Sequence, residues 1–138
     1  MKRFDQYESH LSVLNRAKDE DLNNEFIKSG IIDKFFIQFE LGWKLLKDLM
    51  KYEGRKEADT GSPREIIKEA YQIYDFMDEE IWIQMLSERN NMAYIYNEAA
   101  ATELVNKILR NYVSEFRRME ENLKEHYGNL LKESNGYK

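Results

Sequence analysis

The chain has 138 residues and a net charge of −5, enough for one domain with its own core and too acidic for a general nucleic-acid binder. At 42% hydrophobic and 13% aromatic residues, disorder is excluded. No apolar run reaches the roughly 18 residues of a membrane span, and the lack of cysteine removes disulfide and thiolate chemistry.

One proline, six glycines and 34% charged residues favour long helices. A first helix is expected over residues 4–18, where Phe4, Tyr7, Leu11, Leu14 and Ala17 recur at three and four residues as one stripe. The polar stretch 21–30 reads as a connection, helical only in part. A second helix is expected over 31–53. Its apolar set is wide (Ile31, Ile32, Phe35, Phe36, Phe39, Trp43, Leu46, Leu49, Met50), which makes it the most buried, and Gly54 follows at a natural cap. After a charged loop, Ser62-Pro63-Arg64-Glu65 combines a capping box with proline at the first helical position. That third helix buries Ile66, Ile67, Ala70, Ile73, Tyr74 and Met77. Asp78-Glu79-Glu80 opens a fourth, with acids at its positive end and Ile81, Trp82, Met85 and Leu86 on one face.

A fifth helix is expected over 98–127, with Asn97 as cap. Val105, Leu109, Tyr112, Phe116, Met119 and Leu123 form a heptad-like seam. Its length of about 40–45 Å exceeds the other helices, so its far end is expected to project. Residues 1–127 then make a single bundle domain, and 128–138 a C-terminal tail, frayed over 134–138. The fold class is all-α, an antiparallel up-and-down bundle of four or five helices.

The segment from Arg89 to Tyr96 is chemically unusual. Arg89 follows Leu86 on an apolar stripe near a helix end, where arginine must snorkel, pair with a carboxylate or hold an anion. Glu40, Glu79 and Glu88 are candidate partners. Asn90-Asn91 is a weak helical pair, and a break there would free Arg89 and Tyr94 from helical spacing and fold both toward one pocket. Tyr96 lies just before the next helix start, where backbone N–H groups favour anions. Glu40, amid Phe36, Phe39 and Trp43, is either a half-buried carboxylate or the i,i+4 partner of Lys44. Lys44, Lys47 and Lys51 share one face, an RNA-facing strip or a solvated edge. No Gly-rich phosphate loop occurs, and His10 and His126 are too far apart in sequence for a multi-histidine metal site, so neither a metal nor another cofactor is expected. The basic, h-region-free start and the absence of cysteine suit a cytoplasmic protein.

Three stretches carry a resemblance: Phe35 through Asp48, Gly61 through Ala70, and Trp82 through Asn97, the last read as Trp-x-x-Met-Leu-x-x-Arg-Asn, then a tyrosine and Asn-Glu. In order and spacing the chain resembles the nucleotidyltransferase substrate-binding proteins of the HEPN superfamily, the group that includes HepT-type toxins. The resemblance implies a left-handed helical bundle, a homodimer, and a small nucleotidyltransferase-fold protein as partner. In ribonuclease-active relatives an Arg-x-x-x-x-His-x-Tyr motif cuts RNA, and in some pairs the partner adenylylates the motif tyrosine. Arg89 takes the arginine position, Asn90 the polar residue after it, and Tyr96 the tyrosine position. Tyr94 stands where the histidine would be, and a phenol with a reference pKa near 10 is a poor base at neutral pH. The implied role is therefore a binding or regulatory subunit, with Tyr96 as a candidate acceptor of AMP, and not by itself an enzyme. The alternatives are a ribonuclease working through Arg89 and Tyr94, and a structural assembly bundle.

Overall fold

A computed structural model describes residues 1–91 and 93–133, so the expected frayed tail 134–138 lies outside the described residues. The order is α1 (Lys2–Asn15), a 3₁₀ turn (Ala17–Asp19), α2 (Glu25–Tyr52), a second 3₁₀ turn (Lys56–Asp59), α3 (Pro63–Ile73), α4 (Glu79–Asn90), α5 (Ala93–Tyr96), α6 (Glu98–Lys107), a π turn (Ile108–Tyr112) and α7 (Val113–Glu133). No strand occurs among the described residues, and the protein is an all-α helical bundle. α2 is the central element, packed against α1, α3 and α6, while α7 lies along α1 and α3 pairs with α4.

The expected helix starts are built by side-chain caps. Ser62 Oγ accepts from the Glu65 amide at 3.3 Å, and Glu65 Oε1 accepts from the Ser62 amide at 3.0 Å. Asp78 caps α4 through the Ile81 amide, and Asn97 caps α6 through the Ala100 amide. α2 ends before Gly54, whose φ of +83° suits glycine.

The start of α2 departs from expectation. The helix begins at Glu25, not Ile31, because Asn24 Oδ1 accepts from the amides of Phe26 and Ile27 and nucleates an earlier turn. The helix after Asn97 is not one regular α-helix either. A π turn over Ile108–Tyr112 adds a residue, so Leu104 and Ile108 are buried while Leu109 is only partly so. Its far end does not project. The backbone bends at Tyr127 (φ −121°, ψ 23°), and Tyr127 and Leu131 are buried. The Tyr127 hydroxyl donates to Glu53 Oε2 at 2.7 Å and lies 2.8 Å from the Tyr74 hydroxyl, which binds this end to α2 and to the end of α3.

Large rings fill the centre. Tyr7, Phe35, Phe39, Trp82, Tyr112 and Phe116 are fully buried. Phe35 stacks on Tyr112 with centroids 5.2 Å apart, and Trp82 meets Phe116 edge-on at 5.8 Å. The Tyr7 hydroxyl donates to the Phe116 carbonyl at 2.7 Å, joining α1 to α7. Gly42 lets α2 approach α4: a Cβ there would lie 3.0 Å from the Trp82 ring.

α1 and α7 also share a charged cluster, in which Lys124 pairs with Glu8 and stands 4.0 Å from Glu120. Burial, then a hydrogen bond shared with Glu8, pushes the Glu120 carboxyl up to about 7. Burial also acts to raise Glu8, but its hydrogen bonds with Lys124 and Glu120 outweigh it and hold Glu8 below the ordinary 4.5. A raised native pKa means that Glu120 contributes stability present below its unfolded value and lost as pH rises through about 7. Glu8 has the opposite sign, contributing above its unfolded value and losing it in acid. The unfolding free energy from urea titration is therefore expected to fall between about pH 4.5 and 7, by an amount on the order of 1 kcal/mol after solvent screening, and to level off above that. Glu120→Gln should flatten that fall; an unchanged slope in this variant would remove Glu120 as its source.

Candidate functional site

The junction between α4 and α6 is made by two asparagines. Asn91 ends α4 in extended backbone (φ −96°, ψ 115°), and its Oδ1 accepts from the Ala93 amide at 3.0 Å. The break expected at Asn90-Asn91 is thus present, and no non-glycine residue among the described ones needs a positive φ to make it. The single turn α5 follows, and Asn97 begins α6. Met92 lies outside the described residues.

Arg89, in the last turn of α4, reaches across to α2. Its guanidinium donates to Glu40 Oε1 at 3.2 Å, with both side chains about one-third exposed. The other oxygen of Glu40 accepts from the Trp43 indole at 2.5 Å. Of the three acids open to Arg89, Glu40 is its partner. Glu88 instead accepts from the Tyr112 hydroxyl at 2.8 Å and pairs with Lys107 at 3.6 Å. Glu40 makes no ion pair with Lys44 among the described contacts. The Lys44 ammonium sits over the Trp43 ring, 5.9 Å from its centroid. Asn90 is exposed at the end of α4.

Tyr94 and Tyr96 part company. Tyr94 is half-buried, its ring 5.6 Å from Phe36. Burial, then the nearby Asp33 carboxylate, raises its phenol above 10, so at neutral pH it holds its proton and offers no phenolate base. Tyr96 is 89% exposed. Tyr94 walls two clefts. The smaller, about 110 Å³, includes Glu88, Glu103 and Lys107. The larger, about 420 Å³, lies between the starts of α2 and α6 and includes Lys28, Asp33, Tyr96 and Glu98. Arg89 lines neither, so the structure brings Tyr94 and Tyr96 to one cleft and holds Arg89 on Glu40 beside it.

Two buried charged residues were not singled out from the sequence. Lys28 is buried at the larger cleft. It precedes Ile31, Ile32 and Phe35 by three, four and seven residues, an apolar-face spacing that is readable only once α2 starts at Glu25. Glu115 is 1% exposed and holds the start of α4, accepting from the Asp78 amide at 2.8 Å and the Trp82 indole at 3.1 Å. It lies three residues after Tyr112 and four before Met119, and this in-phase position was its signal. Among the described residues no group of three or more His, Asp or Glu is placed to hold a metal ion, and no helix is long and apolar enough to cross a membrane.

Residues 2–125 match the family described as nucleotidyltransferase substrate binding protein like, and the chain belongs to that family. No curated protein matches it.

Proposed function

We propose that this member of the nucleotidyltransferase substrate-binding-like family is the binding or regulatory subunit of a two-protein pair. It docks a small nucleotidyltransferase-fold partner, as a HEPN-type homodimer of the HepT kind, and offers Tyr96 as the acceptor of a nucleotidyl group. One observation carries the reading: in the segment that resembles the HEPN motif, the Tyr96 ring is 89% exposed on the single turn α5, open to a second protein. In the transfer, Tyr96 Oη attacks the α-phosphorus of ATP bound to the partner. An O–P bond forms, the bond to the β-phosphate oxygen breaks, pyrophosphate leaves, and the phenolic proton passes to solvent or to a base on the partner.

Ribonuclease chemistry fits this geometry less well. Arg89 is engaged by Glu40, and Tyr94 holds its proton at neutral pH, whereas RNA cleavage needs a group that titrates near 7. Purified protein is expected to leave structured RNA intact, and Arg89→Ala to leave any trace cleavage unchanged.

The decisive experiment is co-expression with a candidate small nucleotidyltransferase-fold partner, followed by intact-mass analysis with ATP. Wild type should gain the mass of an adenylyl group and Tyr96→Phe should gain none. A complex in which Tyr96→Phe is labelled as fully as wild type would sink the acceptor role. No complex and no added mass would leave the assembly-bundle reading in its place.

A further inference from the structure

Lys28 is a buried cation, 8% exposed, on the wall of the larger cleft. Burying an ammonium is costly unless its donors are matched. Here the match is partial. An ammonium has three donors, yet among the described residues Lys28 makes one hydrogen bond, to Thr102 Oγ1 at 3.1 Å. Its counter-ion is Glu98, at 3.5 Å, and the Glu98 side chain is 82% exposed. Such a carboxylate is held weakly and can return to water at little cost.

The same cleft receives the start of α6. Asn97 Oδ1 takes the Ala100 amide, and Asn97, Glu98 and Ala101 of that first turn line the cleft. Tyr94 and Tyr96 complete the wall. The carboxylates of Glu25, Asp33 and Glu98 also face it, and they set the charge that it tolerates. A terminal phosphate carries close to two charges at neutral pH, because its second pKa is about 6. A phosphodiester carries one. Three acids beside one lysine admit the monoanion far better than the dianion.

We propose that Lys28 is the phosphate-holding cation of this cleft, and that its ligand is the phosphodiester of a nucleotidyl group. The inference rests on the acceptor reading of Tyr96: once Tyr96 carries the group, the Lys28 ammonium exchanges Glu98 for a non-bridging phosphate oxygen. Glu98 is then a resident competitor that keeps the lysine paired while the cleft is empty.

The two residues therefore act in opposite directions, and the test uses that. The full-length chain is titrated with the methyl ester of AMP, a monoanionic diester, and tyrosine ring signals are followed by NMR. Lys28→Met should weaken binding roughly ten-fold or more, the worth of a charge-assisted hydrogen bond. Glu98→Gln, which keeps the shape and removes the competitor, should tighten it several-fold, and inorganic phosphate at pH 8 should bind more weakly than the ester. The proposal is overturned if wild type ignores the ester, if Lys28→Met binds it as wild type does, if both variants shift affinity the same way, or if phosphate binds as well as the ester. Should Lys28→Met fail to fold, Glu98→Gln alone decides by its sign. Mass analysis of wild type with the partner and ATP runs beside it. A missing adenylyl adduct there removes the acceptor reading, while the titration still reports on Lys28 itself.

Discussion

Trp82→Ala is expected to destabilise the protein by about 3–5 kcal/mol, the usual cost of deleting a large core ring. The indole is fully buried, with Phe39 at 6.0 Å and Phe116 at 5.8 Å between centroids, and it lies against Gly42. None of these neighbours can refill the space. Phe39 and Phe116 are themselves fully buried, and Gly42 has no side chain to lend. A domain of this size has about 5–15 kcal/mol in total, so the loss removes a large share of it. Equilibrium urea unfolding measures it, with a lower midpoint at an unchanged slope. Trp43, hydrogen-bonded to Glu40, remains as the fluorescent reporter. A loss below about 1 kcal/mol would show that the bundle repacks around the gap.

The second large effect concerns Glu115. Glu115→Ala is expected to cost about 2–5 kcal/mol, because it strands two donors, the Asp78 amide and the Trp82 indole, each worth about 1–3 kcal/mol unsatisfied. Arg118 stands 3.0 Å from the other oxygen, off the line of a hydrogen bond, and is half exposed, so it returns to water. Glu115→Gln keeps an acceptor oxygen and should cost far less. Burial raises the Glu115 carboxyl above its ordinary value, in spite of the Asp78 amide and Arg118. Its ionisation thus weakens the native state as pH rises through the native pKa, and Glu115→Gln should lose that dependence. Equal destabilisation by alanine and glutamine would show that the charge, and not the accepted hydrogen bonds, holds the start of α4.

Much of this fold was legible. The α3 start was written in Ser62, Pro63 and Glu65, and the stripes of α1, α3 and α4 gave most of their buried faces, since local capping and helical period need no tertiary knowledge; α3 stops at Ile73, before the expected Tyr74 and Met77, and Ile73 and Ile81 are only partly buried. The early start of α2 was missed because Glu25, Phe26 and Lys28 mix charge with an aromatic that is 86% exposed, which hides the period. The π turn was missed because an inserted residue leaves no compositional mark. Its trace is the buried pair Leu104 and Ile108, which the chosen seam passed over. At the junction, the caps Asn91 and Asn97 and the pairing of Arg89 with a nearby acid could be read from residue chemistry. That the acid is Glu40, 49 positions away, could not, because it depends on how α4 lies across α2. Lys28 and Glu115 were overlooked for one reason: a lone charge among apolar positions is taken for surface until the opposing wall is known.

The π turn over Ile108–Tyr112 couples the core to the cleft as a phase setting. One residue of α-helix corresponds to about 100° of rotation. Downstream, Tyr112 is fixed by stacking on Phe35 and by its hydroxyl on Glu88. Upstream, α6 must aim Thr102 at Lys28 and still bury Leu104 and Val105. A regular helix joining the two would turn α6 by that angle and carry Thr102 away from the lysine. The extra residue works as an angular offset between a rigid aromatic stack and a polar cleft, so the chain length between Asn97 and Tyr112 is itself a determinant of the site.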